Sequence, residues 1–302
     1  MDLGMIGLGR MGGNMAQRLG RAGHRVAGHD PGEEARAKAA AAGVETVPSL
    51  EDLVRALPSP KRLWLMVPAG EAVDRTLEAL LPLLEAGDIV VDGGNSHYRD
   101  TVRRARAAEQ ADVAWIDVGT SGGVWGLEEG YSLMIGGPQE AVAALRPLFE
   151  ALAPAPERGW GRVGPSGAGH FVKMVHNGIE YGLMQAYAEG FHILSEKHEL
   201  EIDPLQVAGI WRSGSVVRSW LLDLIERGLE ENPALAGVAP WVSDSGEGRW
   251  TVQEAMDLDV PAPVITLALQ ARLRSRVEDS VADRLLAVMR QQFGGHAIKS
   301  AP

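Results

Sequence analysis

From residue 3 to residue 137, short apolar runs alternate with segments of helical composition. The first run passes straight into Gly7-Leu8-Gly9-Arg10-Met11-Gly12. LGMI (3–6), HRVAG (24–28), RLWLMV (62–67), DIVVD (88–92) and VAWIDV (113–118) have strand character, while 11–22, 33–42, 71–81 and 97–111 have helix composition. This alternation predicts an α/β, doubly wound, Rossmann-like domain: a parallel sheet with crossover helices. YSLMIGG (131–137) adds a later strand, with Pro138 placed as the first residue of another helix. The alanine-rich AKAAAAG (37–43) reads as a helix end followed by a glycine cap.

A G-x-G-x-x-G run carries little weight alone in a chain with 37 glycines. Between a strand and a helix it carries a mechanism, because glycines permit a tight turn and close approach of the backbone to a pyrophosphate at a helix N-terminus. Asp30 ends the second predicted strand, where a carboxylate accepts bonds from an adenosine ribose and repels a 2′-phosphate. NAD is therefore expected in preference to NADP. Two readings compete with this one. Asp30 could be a turn residue ahead of Pro31, and Arg10 could tolerate a 2′-phosphate.

After RVGPSGAG (162–169) the strand-like runs stop, and long helical patterns continue through residue 290. The expected division is a dinucleotide-binding domain over 1–165 and an all-α domain over 166–302, the latter serving substrate and oligomerisation and ending in a C-terminal tail. A net charge of −11 argues against a general binder of nucleic acid or anionic membranes, though a local Arg/Lys cluster can still hold a small anion. The chain has no cysteine, so disulfides and thiolate metal sites are excluded, in keeping with a cytoplasmic protein. MDLGMIGLG does not read as a signal peptide, and no apolar run approaches the ~18 residues that span a bilayer.

Residues 169–182, GHFVKMVHNGIEYG, invert the usual helix pattern. Lys173, His176, Asn177, Glu180 and Tyr181 fall at i, i+3, i+4, i+7 and i+8, the spacing of a stripe normally turned to the core. A solvated face would carry Lys/Glu pairs. Nor would an exposed helix gain from Gly178, which costs about 1 kcal/mol against Ala. A polar seam facing an internal cleft explains both. Two loops belong with it: Asp92-Gly93-Gly94-Asn95-Ser96 and Gly119-Thr120-Ser121-Gly122-Gly123. Each follows a predicted strand at the carboxyl edge, where doubly wound sheets bind ligands.

With these segments assembled, the chain resembles the β-hydroxyacid dehydrogenases, and among them the decarboxylating 6-phosphogluconate dehydrogenases. The resemblance rests on GLGRMGGNM (7–15), MVPAG (66–70), DGGNS (92–96), SGG (121–123), KMVHNGIEYG (173–182), IWRSGSVVRSWLL (210–222), GRWT (248–251) and RQQFGGH (290–296). It implies Lys173 as general base and Glu180 as general acid. It also implies substrate contacts from Asn95, Ser121, Gly122, Gly123, His176, Asn177 and Tyr181. Gly7, Leu8, Gly9, Arg10, Met11 and Gly12 would hold the pyrophosphate, with Val67, Pro68, Ala69 and Asn95 along the cofactor. Arg272 matches an arginine that binds the sugar phosphate. Arg290 and His296 match a pair supplied to the neighbouring subunit's site, which implies a homodimer or homotetramer. Two departures stand out. DSGEGRWT places Ser245 where the family's longer members carry a lysine, and only one copy of a helical region that those members duplicate fits here. The chain thus resembles the family's short form.

The implied chemistry asks specific things of these groups. Hydride loss from C3 of 6-phosphogluconate requires removal of the C3 hydroxyl proton, and a lysine can take it only when neutral. The resulting β-keto acid loses CO2 without a metal if its ketone oxygen is protonated, after which the enediol needs a proton at C1. Lys173 and Glu180 stand roughly 10.5 Å apart along a helix axis, too far to pair and close enough to flank one sugar acid. A metal is not expected, since His176 has no second ligand at suitable spacing. Two other functions remain open: a non-decarboxylating dehydrogenase of 3-hydroxyisobutyrate type, which needs no acid at C1, and a non-catalytic dinucleotide sensor.

Overall fold

The computed structural model describes residues 1–295 and 297–299. They form two compact units, Met1–His176 and Asn177–Pro302. The sequence changes character near residue 165, whereas the units divide inside a single long helix.

The first unit is built on strands β1 (Asp2–Ile6), β2 (Arg25–His29), β3 (Glu45–Thr46), β4 (Arg62–Leu65), β5 (Ile89–Asp92), β6 (Ala114–Ser121), β7 (Ser132–Gly136) and β8 (Trp160–Gly164). They lie in the order β3-β2-β1-β4-β5-β6-β7-β8. The connections carry α1 (Arg10–Arg21), α2 (Glu33–Ala41), α3 (Leu50–Arg55), α4 (Glu71–Leu80), α5 (Tyr98–Glu109), α6 (Gly126–Glu129), α7 (Gln139–Ala144) and α8 (Arg146–Leu152). Side chains alternate between two cores. Leu3, Met5, Trp64 and Val91 pack with α1 and α8 on one face, while Leu63, Leu65 and Val90 pack with α3 and α4 on the other. Burial on both faces is why these strands read as continuous apolar runs.

Every pairing is parallel except β6 with β7, where Ser121 opposes Ser132. This departs from the all-parallel expectation. The connection over residues 122–131 is shorter than the dozen or so residues a parallel crossover needs, so the chain must reverse. The edge strands β3 and β8 bury no residue and so lack the continuous apolar run of the others. Pro138 stands one residue before α7 as its cap, and Gly43 adopts φ +87° just past α2, completing the cap expected there.

The second unit is helical. Helix α9 (Ala168–Glu196) begins in the first unit, and α10 (Pro204–Trp211), α11 (Trp220–Glu231), α12 (Glu247–Asp257), α13 (Pro263–Arg274) and α14 (Val281–Gly294) follow. Among the described residues, no helix is long and apolar enough to cross a membrane. Gly178 now has a reason: a methyl there would lie 2.6 Å from Thr251 Cγ2, so α9 and α12 approach closely only because a side chain is missing. Gly248 does the same for the ring of Tyr181. Replacing Gly178 with Ala should therefore lower the melting temperature, even though helix propensity alone favours Ala by about 1 kcal/mol. A calorimetric scan of Gly178→Ala checks this, and a rise in melting temperature would refute the packing argument.

Candidate active site

The cofactor end is set by three glycines with different jobs. Gly7 has φ +91°, and a methyl on it would collide with the Met66 carbonyl. A methyl at Gly12 would strike the Gly7 carbonyl, so Gly12 lets α1 lie directly against the turn. At Gly9 no protein atom comes within 4 Å of the methyl position, which leaves the backbone open to a ligand at the start of α1. The first turn of α1 carries no acidic residue, and Arg10 is exposed there beside Met11. An anionic pyrophosphate fits this combination.

Asp30 has the turn role considered for it. One carboxylate oxygen accepts from Leu8 N at 2.8 Å and the other from Gly32 N at 2.8 Å, so the side chain organises the turn. A carboxylate offers about four acceptor positions, and two remain for a ribose. Beyond β4, Val67 is half-buried while Pro68 and Ala69 are exposed along the loop.

Asn95 is exposed between buried Gly94 and Ser96. Ser96 Oγ donates to Asp92 Oδ2 at 2.7 Å, and Gly94 N donates to Asp92 Oδ1 at 3.1 Å. Arg104, only 1% exposed, donates from Nη1 to Ser96 Oγ at 3.2 Å, from Nη2 to Gly70 O at 3.0 Å and from Nε to Asp74 Oδ1 at 2.8 Å. Ser121 ends β6, and Gly122 and Gly123 follow at φ +136° and +54°. This glycine loop wraps Tyr131, whose burial pushes the phenol up to about 12. Arg18 of α1 donates to the carbonyls of Leu127, Glu128, Ala151 and Ala153, pinning the chain just beyond the loop.

Lys173 sits on the first turns of α9, and the sheet dictates where. Asp117, fully buried in β6, accepts from Gly167 N at 2.6 Å and His170 N at 2.9 Å, capping the helix start. A methyl at Gly169 would lie 2.6 Å from Asp117 O, and one at Gly136 would lie 2.5 Å from Asp117 Oδ1. At Gly119 a methyl would run into Lys173 Cβ, so the lysine rests directly on the strand. Lys173 is 8% exposed, a setting that costs an ammonium much of its hydration. Its Nζ lies 3.5 Å from His176 Nδ1. Along α9 the seam is the inward face: Lys173, Asn177 and Tyr181 are buried, while His176 and Glu180 are intermediate. The apolar Val172, Ile179 and Leu183 are the exposed ones.

In the second unit, Arg272 lies over the Tyr181 ring at 3.6 Å from its centroid and donates from Nη1 to Ser243 O at 2.8 Å. Ser245 Oγ and Asp244 Oδ1 each lie 3.5 Å from Tyr181 Oη. Burial works against the Asp244 carboxylate, yet Arg249 and the Gly246 N–H hold its pKa below the ordinary value. Tyr181, Arg272 and Ser245 are thus brought together. Arg290 is exposed on α14, and His296 lies outside the described residues. Among the described residues, no cluster of three or more His, Asp or Glu could hold a metal ion.

Four supporting residues escaped sequence reasoning: Arg18, Arg104, Asp117 and Asp244. Asp117 left a signal, being an acidic residue inside an apolar strand that must find partners. The others did not, since YRDTVRRARAAE offers four arginines with nothing to single out the buried one.

The doubly wound sheet and glycine turn define a dinucleotide-binding dehydrogenase fold, and the comparisons sharpen this. Residues 2–161 match the family model for the NAD binding domain of 6-phosphogluconate dehydrogenase, and residues 169–299 match the model for its C-terminal domain. The chain is 50% identical over 300 residues to an NAD(+)-dependent, decarboxylating 6-phosphogluconate dehydrogenase of Haloferax volcanii, covering 99% of this chain and 98% of that one. The 6-phosphogluconate dehydrogenase of Plasmodium falciparum superposes with a TM-score of 0.83 at 30% identity, covering 100% of this chain and 67% of its own. A 3-hydroxyisobutyrate dehydrogenase of Mycobacterium tuberculosis, at 22% identity and a TM-score of 0.74 over 92% of this chain and 94% of its own, shares the fold. The chain belongs to the 6-phosphogluconate dehydrogenase family.

One consequence of the geometry concerns acid. The Arg104 bond, with Arg103 adding to it against the opposing effect of burial, holds the Asp74 carboxyl below its ordinary value of 3.8. A depressed pKa contributes stability that is complete above the unfolded-state value and is lost as the pH falls through the folded one. Urea unfolding of wild type and Asp74→Asn should give a stability gap that stays constant from neutral pH to about pH 4 and narrows below it. A gap independent of pH down to about pH 2.5 would contradict the assignment.

Proposed function

We propose that the protein is a cytoplasmic, NAD-preferring, decarboxylating 6-phosphogluconate dehydrogenase of the pentose phosphate pathway, converting 6-phospho-D-gluconate to ribulose 5-phosphate and CO2. The observation that carries this reading is the polar seam of α9, with buried Lys173 and half-buried Glu180 on one continuous helix. The Haloferax relative's NAD dependence and the short form that it shares with this chain support the cofactor and the overall assignment.

NAD, when bound, would supply the acceptor for the hydride leaving C3. Gly7 to Gly12 would hold its pyrophosphate and Asp30 its ribose, with Val67, Pro68, Ala69 and Asn95 flanking it. Lys173 takes the C3 hydroxyl proton as the hydride leaves, a role that requires its neutral form. As CO2 departs, Lys173 returns that proton to the ketone oxygen, so carbanion character never develops fully. Glu180 then protonates C1 of the enediol while Lys173 recovers the enol proton. The lysine then gives up one proton to solvent and the glutamate takes one up, which restores both groups, and the cycle consumes no net proton.

Asn95, Ser121, Gly122, Gly123, His176 and Asn177 orient the sugar acid, and Tyr181 and Arg272 take its phosphate. Ser245 offers a hydroxyl there in place of a lysine's charge. A second copy of the chain completes the site through Arg290 and His296. In support, α14 has no buried residue and exposes Leu285, Leu286, Met289 and Phe293, the last by 97%. An apolar face of that kind marks an interface.

Purified protein should form NADH and CO2 in equal amounts from 6-phosphogluconate, faster with NAD than with NADP and poorly with gluconate. Lys173→Met and Glu180→Gln should each lower kcat by about 100-fold or more. NADH without CO2 would instead favour a simple 3-hydroxyacid dehydrogenase. Deleting residues 287–302 should sharply raise the KM for 6-phosphogluconate, and unchanged kinetics would remove the tail from the site.

A further inference from the structure

We infer that Arg104 is a positioning residue for hydride transfer: its buried guanidinium locks the loop after β4 to the loop after β5 and so fixes Asn95. The inference rests on the function proposed above and goes beyond it, because Arg104 is assigned no contact with substrate or cofactor.

The guanidinium reaches in three directions. Nη2 holds Gly70 O at 3.0 Å, at the end of the Val67–Gly70 loop. Nε holds Asp74 in the first turn of α4, at 2.8 Å. Nη1 holds Ser96 Oγ at 3.2 Å and stands 3.8 Å from Asp92 Oδ2. A simple ion pair would need Asp74 alone. Here the two remaining nitrogens are spent on the two loops proposed to flank the cofactor. The loops also press on each other, since a methyl at Gly94 would lie 3.0 Å from Val67 O. Asp92 and Ser96 are buried on either side of exposed Asn95, so the only side chain that the block presents outward in this turn is that amide. Lysine cannot replace the fork: its ammonium is a single point and cannot reach Gly70 and Ser96 together in the same geometry.

Arg104→Lys, Ser96→Ala and the double variant test this in the full-length protein. NADH affinity is read by fluorescence, along with steady-state kinetics and the deuterium isotope effect from substrate labelled at C3. For Arg104→Lys, kcat/KM should fall roughly 100-fold while the NADH Kd moves less than about threefold, because a displacement near 1 Å costs orientation more than affinity. The isotope effect on kcat should rise as hydride transfer becomes limiting. Ser96→Ala should move the same way by less, and the double variant should be no worse than Arg104→Lys. If Arg104→Lys only lowers the melting temperature, with kcat and the isotope effect of wild type, Arg104 is merely structural and the inference falls. Additive losses in the double variant would overturn it too. A wild-type protein that does not oxidise 6-phosphogluconate sinks the functional reading itself, and this one with it.

Discussion

The carboxylate of Asp117 receives the amides of Gly167 and His170, and the rest of the site depends on that cap. A helix start leaves four amides without partners, and burying them bare would cost several kcal/mol. Asp117 meets this need from within the central sheet, so the helix starts at a fixed point on the carboxyl edge. The absent side chains of Gly119, Gly136 and Gly169 then let it descend to backbone contact. Lys173 follows one turn later, buried by the sheet that positions it. The position and the dry surroundings of the proposed base thus have a single cause.

The same logic repeats along α9. Gly178 admits Thr251 and Gly248 admits the Tyr181 ring, so α12 is fitted to the helix where the seam continues. Arg272 lies over the Tyr181 ring and is held by a backbone carbonyl. Asp244, kept ionised by Arg249 and Gly246, borders this cluster. An anion placed there meets one stacked guanidinium, two hydroxyls and a nearby carboxylate.

Much of this could be read from the chain. The strand and helix alternation carried the sheet because its strands are buried on both faces, and the 3.6-residue spacing of polar side chains carried the seam. Gly178 is an anomaly in a helical sequence, and Thr251 accounts for it. What stayed hidden was long-range. The reversal at β7 turns on the length of one connection, and β3 and β8 are edge strands with no buried residue to mark them. Arg104 and Arg18 look like any arginines in amphipathic helices until the fold turns them inward. Asp30 was read as ribose ligand or turn residue, and its bonds to Leu8 and Gly32 leave room for both.

The most direct measurement is a crystal structure with 6-phosphogluconate and a reduced cofactor bound. It should place Lys173 Nζ within hydrogen-bond reach, about 2.6–3.2 Å, of the C3 hydroxyl, with the Glu180 carboxyl facing the carbon that loses CO2. A sugar acid bound with either side chain turned away into solvent, or into a different cavity, would contradict the two-proton role of α9.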